Sequence, residues 1–134
     1  EVQPVYVLIK SVEKNNGQVL SKNLLEMALR EGLAAKGFIA VSFIEKADLI
    51  IEINAEANDA GVAREMNTEF FSSTLNAEVV FKDKTTLTEV YRTHLSSIKG
   101  TQLSFEKATE DAYIKAAKKM KLSVPDDFVK VYSE

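Results

Sequence analysis

Residues 48–57 read DLIIEINAEA, and this stretch decides the fold class. Polar residues stand at positions 48, 52, 54 and 56, and apolar residues stand at 49, 51, 53, 55 and 57. A period of two is typical of a β-strand with one buried and one wet face. The segment therefore predicts a strand in a sheet that is covered on one side.

Further elements are predicted on the N-terminal side of this segment. Residues 4–10 contain an unbroken apolar run, which favours a central strand covered on both faces. Residues 11–19 predict a loop, and residues 38–43 predict another strand. Between that loop and that strand, an apolar stripe predicts a helix with Ser21 as its N-cap and Gly37 as its stop.

On the C-terminal side, residues 58–67 are polar and contain Asp-Ala-Gly, which predicts a loop. Two strands, at residues 71–81 and 87–98, are predicted to form a long hairpin. A second helix capped by Ser104 is predicted to reach about residue 121. Pro125 is expected to end the regular pattern, with residues 128–132 forming a short edge strand.

The order of these elements, β-α-β-β-β-β-α, predicts an α+β fold with a mixed sheet of about five strands and two helices packed on one face. All 134 residues are expected to form one domain, since the length is near the commonest domain size. The hydrophobic fraction of 46% is ordinary for a folded domain.

Charge and residue usage narrow the function classes. The net charge of −3 disfavours general affinity for nucleic acid or anionic membranes. The sequence has no cysteine, so disulfides, thiolate metal sites and thiol catalysis are excluded. No apolar stretch approaches the roughly 18 residues of a membrane-spanning helix. Because the first residue is Glu1, we expect a processed protein or an excised domain.

The titratable residues give no catalytic constellation, and we expect no enzyme and no cofactor. His94 is the only histidine, lies on a predicted strand and has no local partner for general base catalysis. Glu52, Glu56 and Asp59 are candidates for a cation site, but they read better as the solvated face of a strand. Four lysines near residue 118 are interpreted as a basic last helical turn that complements the helix dipole.

A contact surface for a protein partner is the remaining candidate site. Arg64 and Met66 lie in the predicted loop and are residue types favoured in contact surfaces. Phe70 and Phe71 are adjacent in a strand, so only one can enter the core beneath the helices. Arg64, Met66 and Phe70 are therefore predicted to bind a partner, unless the segment around Phe128 covers the second face.

Four segments resemble small envelope-associated domains of bacterial lipoproteins and assembly factors, including the flagellar assembly protein T and curli-secretion-channel types. They are GFIAV at 37–41, KADLII at 46–51, the hairpin around FKDKTT at 81–86, and residues 100–120 with their alanine spacing. The resemblance implies a non-enzymatic module of the periplasm or outer membrane that holds protein partners or assembles with copies of itself. It is also compatible with a lipid anchor upstream of this chain.

Two alternatives stay open. One is a small-ligand carrier with its pocket between the sheet and residues 58–67. The other is a metal-dependent enzyme that uses Glu52, Glu56 and Asp59.

Overall fold

One mixed sheet organises the structure, a computed structural model that describes residues 3–133. The strands are β1 (Val5–Asn15), β2 (Gln18–Val19), β3 (Phe38–Ala40), β4 (Leu49–Glu65), β5 (Thr68–Asp83) and β6 (Glu89–Gln102). The helices are α1 (Leu24–Ala34), a 3₁₀ helix (Ile44–Lys46) and α2 (Phe105–Tyr132).

The sheet has the order β2-β1-β4-β5-β6, and β3 pairs with the start of β1. β1 runs parallel to β3 and β4, whereas β4, β5 and β6 form an antiparallel meander. The predicted α+β fold with two helices on one face is confirmed. The predicted loop at 11–19 is wrong in part, because β1 continues to Asn15 and turns back into the short β2.

The core lies between the sheet and the two helices. Alternate residues of β4, namely Leu49, Ile51 and Ile53, are almost fully buried, as the period of two predicts. Each such side chain contributes about 1.5–3 kcal/mol through burial. The helices complete the core with the buried residues Leu25, Leu29, Leu33, Ala112, Ala116 and Met120.

Glycine allows the helices to approach their neighbours closely at two positions. A Cβ on Gly100 of β6 would lie 2.0 Å from the carbonyl oxygen of Ala108, so any larger residue would separate β6 from α2. A Cβ on Gly32 of α1 would lie 2.2 Å from the carbonyl oxygen of Lys121, where the two helices cross.

Helix α2 continues through Pro125 to Tyr132, so the predicted helix end and the predicted strand at 128–132 are both wrong. Proline removes one backbone hydrogen bond from a helix. Packing beyond the proline offsets that loss, because the buried Phe128 lies with its ring 4.1 Å from Phe81 and 5.7 Å from Phe38. The N-terminal cap of this helix is as predicted: the backbone N–H of Lys107 donates to Ser104 Oγ at 3.1 Å.

Helix α1 begins at Leu24 with Asn23 as its N-cap, so Ser21 is not the cap, and the Asn23 side chain makes no capping hydrogen bond. The buried carboxylate of Glu13 supplies the cap from β1. Its Oε1 accepts the backbone N–H of Leu25 at 2.9 Å, and its Oε2 accepts that of Glu26 at 3.1 Å. A carboxylate at this position also complements the helix dipole.

Candidate functional site

The end of the β4–β5 hairpin projects beyond the rest of the sheet. The pairing of β1 with β4 ends at Asn15 and Ala57, and the pairing of β6 with β5 ends at Gln102 and Phe71. Residues 58 to 69 are all exposed. Within residues 3–133, those of them that pair do so only with the other strand of this hairpin. We call residues 58–69 the arm. Its β4 strand, residues 58–65, is roughly 25 Å long at the usual rise per residue. Only residues 63–70 extend beyond both β1 and β6.

The predicted loop at 58–67 is therefore wrong, since most of it is strand. The register of β4 shifts between Asp59 and Gly61, which is a β-bulge, and Gly61 has a φ of 122°. The Asp-Ala-Gly sequence thus bends a strand at a bulge and does not end it. The actual reversal is the two-residue loop Met66–Asn67, which joins Glu65 to its partner Thr68.

Met66 occupies the tip of the arm. Its side chain is 96% exposed, and its φ is 57°, in the left-handed region that favours glycine. A large apolar residue at such a position costs free energy twice, because the backbone conformation is unfavourable and because the apolar side chain is exposed to water. Residues held in this way cluster at ligand clamps and other functional sites.

The structure places Arg64 and Phe70 on opposite faces of the β4–β5 hairpin. Arg64 pairs across the strands with Glu69, and their side chains form an ion pair at 3.7 Å. Phe70 pairs with Ala63, one position further along each strand, so the pleat turns it to the opposite face. Arg64 and Met66 thus lie on the arm and Phe70 directly follows it, but the three predicted contact residues do not share one surface.

Phe71, on the helix side, packs edge-on against Phe105 at the start of α2, with ring centroids 4.9 Å apart. Val62 pairs with Phe71 and is 49% exposed. The outer face of the sheet is the face away from the helices. It carries a shallow depression of about 290 Å³ that Phe70 lines together with Ser72, Lys99 and Thr101. The segment around Phe128 lies in the core on the helix side, so the expectation that it covers the second face is wrong.

The base of the arm is fixed by the β1–β2 turn. Asn16 and Asp59 exchange two hydrogen bonds, from Asn16 Nδ2 to Asp59 Oδ1 and from the Asp59 backbone N–H to Asn16 Oδ1, both at 3.0 Å. The Gly17 N–H donates to Glu56 Oε2 at 2.6 Å. These hydrogen bonds hold the base of the arm in place, and we call this base, formed by Asn16, Gly17, Glu56 and Asp59, the root of the arm.

A buried polar cluster ties α2 to the sheet below this root. The Thr109 hydroxyl lies 3.2 Å from Ser73 Oγ and 3.3 Å from Asn15 Oδ1. Tyr113 donates its hydroxyl hydrogen to the Lys14 carbonyl at 2.6 Å. Burial, together with the nearby charge of Glu13, raises the pKa of Tyr113 above its ordinary value of 10.0.

The acids proposed for a cation site do not converge. Glu52 forms an ion pair with Lys82 at 2.9 Å, while Glu56 and Asp59 bind the β1–β2 turn. Among residues 3–133 no three His, Asp or Glu side chains are grouped so that they could hold a metal ion. His94 is on the outer face of the sheet, 3.8 Å from Glu78.

Lys115, Lys118, Lys119 and Lys121 lie in the middle of α2, because the helix continues to Tyr132. The interpretation of these lysines as a last helical turn is therefore wrong, and the helix dipole does not account for them.

Residues 58–67 are mostly strand, and next to them the described residues form only the shallow depression of about 290 Å³ on the outer face, which Ala63 and Glu65 also line. The described residues have open clefts elsewhere. One of about 620 Å³ lies between β3 and the end of α2 and is lined by Pro4, Phe38, Val129 and Tyr132. Another of about 350 Å³ lies between the segment that leads into α1, near Leu20, and α2 near Glu106 and Thr109. Within residues 3–133, no helix has the length and hydropathy needed to cross a bilayer.

A scan against protein-family models gives no match, and a search of curated proteins gives none either. Solved structures share the fold. A Helicobacter pylori protein described as a neuraminyllactose-binding hemagglutinin homologue is 16% identical with a TM-score of 0.61, over 96% of this chain and 89% of its own. A Xanthomonas campestris protein of the DUF330 family is 12% identical with a TM-score of 0.58, over 97% and 88%.

A Caulobacter crescentus protein described as a lipoprotein is 16% identical with a TM-score of 0.54, over 93% of this chain and 90% of its own. At these identities the similarity shows a common fold in bacterial proteins.

Proposed function

We propose that this chain is a non-enzymatic protein-interaction or assembly module of the bacterial cell envelope, and that the arm is its docking element. The observation that carries the proposal is the arm itself. Twelve consecutive exposed residues, 58–69, extend past the end of β1, and their outer part, from residue 63, projects beyond β6 as well and places Met66 at the tip. Binding residues commonly lie on such projections from a rigid scaffold.

The energetics of the arm support a role outside folding. An isolated two-stranded hairpin is marginally stable in water. The arm adds little to the core, and it exposes Val62 and Met66 to solvent. Its outer strand edges also present free backbone groups that a partner can use for strand addition. A partner that covers these groups would recover both the apolar burial and the backbone hydrogen bonds.

The charges on the sheet support a non-enzymatic role. Ionisable groups on its outer face neutralise one another in pairs: Glu52 with Lys82, and Glu78 with Arg92. A catalytic site places groups of perturbed pKa in a concave pocket. The outer sheet face is instead a paired, solvated surface.

The assignment to the envelope, in the periplasm or at the outer membrane, rests on likeness. The Caulobacter structure is described as a lipoprotein, and the Helicobacter structure as a hemagglutinin homologue. The resemblance of residues 37–41, 46–51, 81–86 and 100–120 to flagellar assembly protein T and curli-secretion-channel types points to the same compartment. An acyl anchor upstream of the chain fits this assignment.

A small-ligand carrier is the second candidate, and the 620 Å³ cleft favours it. That volume lies within the range of small-molecule sites, and the cleft contains the aromatic rings of Phe38 and Tyr132. An apolar fluorescent dye that binds the wild-type protein, and that is lost on Tyr132→Ser, would support this use of the cleft. A dye signal that Tyr132→Ser leaves unchanged would contradict it.

The test of the docking role combines Arg64→Glu with Met66→Asp. Both side chains are exposed, so the double variant should keep the wild-type circular dichroism spectrum and unfolding curve. Affinity recovery of the protein partner from cell-envelope extracts should be abolished. Unchanged recovery would move the binding site away from the arm, most simply to a sheet edge.

Two further variants sharpen this test. Lys84→Glu with Leu87→Asp makes the same kinds of change in the turn at the opposite end of β5, and it should leave recovery intact. Met66→Gly removes the tip side chain but relieves the positive φ, so the protein should be at least as stable as wild type while recovery falls.

A further inference from the structure

A groove of about 270 Å³ runs between α1 and α2 on their exposed side. Met27 of α1 and Ile114 of α2 line it and leave 54% and 51% of their surfaces exposed. Ala28 and Ala117 contribute small side chains to the same groove, which keeps it open. Beyond Lys121 the two helices come together at Gly32, which closes one end. The groove is an apolar slot without an occupant among residues 3–133.

The α2 side of the groove carries basic charge, whereas Glu31 lines its α1 side. Residues 114–122 of α2 contain four lysines and no acid. Lys115 pairs with Asp111 at 3.2 Å, and Lys121 pairs with Glu31 at 3.6 Å. Within the described part of the chain, Lys118 and Lys119 form no ion pair, and Lys118 lines the groove. An occupant with acidic and apolar side chains would therefore complement the groove in charge and in apolar character.

The arm has these properties. It carries three acids, Asp59, Glu65 and Glu69, and one basic residue, Arg64, so its net charge is −2. Val62 and Met66 supply its exposed apolar side chains. The groove and the arm therefore complement each other in charge and in apolar character.

We propose that the groove between α1 and α2 receives the arm of a second copy of this chain. The inference rests on the proposed function of the arm, and it names the partner. Arm and groove are different surfaces, so the contact is head-to-tail, and each bound copy still offers one free arm and one free groove. Such a contact produces a closed ring or an open chain of copies. A contact made by twelve residues is smaller than a standard interface, so it forms at high local concentration.

The experiment uses two complementary variants of the whole chain, studied by sedimentation velocity. The arm variant, Val62→Lys with Met66→Lys, keeps a working groove. The groove variant, Ile114→Glu with Lys118→Glu, keeps a working arm. Wild type should show a weight-average mass that rises with concentration. Each variant alone should stay at the monomer mass, and an equimolar mixture should give a dimer of twice that mass that grows no further.

Matched controls place the same kinds of change elsewhere. Lys130→Glu with Val131→Glu alters an exposed pair near the end of α2. Leu87→Lys with Val90→Lys alters the β5–β6 turn and the exposed start of β6. Both should associate as wild type does. A monomeric wild-type protein, self-association of the arm variant alone, or a mixture that stays monomeric would each overturn the proposal.

The outcome separates this inference from the proposed function. If Arg64→Glu with Met66→Asp abolishes partner recovery while wild type remains monomeric, the arm docks to a different protein and the groove proposal fails alone. If the arm variants change neither recovery nor mass, both proposals fail.

Discussion

The carboxylate of Glu13 on β1 caps helix α1 by accepting the backbone N–H of Leu25 at 2.9 Å. Glu13 is fully buried, and it also accepts the Ser11 hydroxyl at 2.6 Å. Glu13→Ala would leave buried donors without an acceptor, which costs about 1–3 kcal/mol for each unsatisfied group. Urea unfolding should show this loss. Glu106→Ala, an exposed change in the first turn of α2, should alter the stability by less than about 0.5 kcal/mol.

The raised pKa of Tyr113 predicts that the folded protein loses stability at alkaline pH. Its folded-state pKa is raised by burial, so the stabilisation is fully present below the ordinary pKa of 10.0 and is lost as pH rises toward the folded value. Tyr113→Phe should cost about 0.5–1.5 kcal/mol at neutral pH through the hydrogen bond to Lys14. It should also flatten the stability curve above pH 10 relative to wild type. An identical alkaline slope in both proteins would show that this phenol is not the group responsible.

The outer edge of β6 is blocked by two side chains of α2. Asp111 Oδ2 accepts the Thr101 N–H at 3.2 Å, and Lys115 Nζ donates to the Lys99 carbonyl at 2.9 Å. Edge strands with free backbone groups invite pairing with other chains. Asp111→Ala with Lys115→Ala should therefore increase light scattering on storage, even when Val62 and Met66 are both lysine. Glu106→Ala with Lys107→Ala is the matched control, and equal scattering from the two would argue against an edge-blocking role.

Leu29 tests the packing of α1 on the sheet. Its side chain is fully buried in the core, whereas Met27 on the same helix is exposed. Leu29→Ala should cost about 2–5 kcal/mol through lost burial and a cavity. Met27→Ala should cost much less in the same denaturant series. A loss below about 1 kcal/mol for Leu29→Ala would contradict the packing described here.

The fold class could be predicted from the sequence because local patterns agree with the global structure. The alternation at residues 48–57 and the Ser104 cap each depend on residues close in sequence. The cap of α1 could not be predicted, because Glu13 lies 12 residues before Leu25 and reaches it only in the folded chain. The predicted helix end at Pro125 is wrong for a similar reason. Packing of Phe128 on Phe38 and Phe81 outweighs the local helix-breaking effect of the proline.

The candidate site could be predicted only in part. Arg64 and Met66 are exposed on the arm and the half-buried Phe70 follows it, and their binding of a partner stays a prediction. Their separation onto two faces depends on the bulge at Asp59 and Gly61 and on the two-residue turn, which the polar composition of residues 58–67 concealed. The groove between α1 and α2 had no sequence signal, because it depends on how far α2 extends and on where it crosses α1 at Gly32.

Site-specific photocrosslinking in cells tests the docking role of the arm most directly. A photoreactive phenylalanine analogue would replace Met66 in one strain and Leu87 in another. Both residues are exposed apolar residues with positive φ, and they lie in turns at opposite ends of β5. Irradiation should give a discrete protein adduct from position 66 and none from position 87. No adduct at position 66, or the same adduct from both positions, would contradict the arm as the docking element.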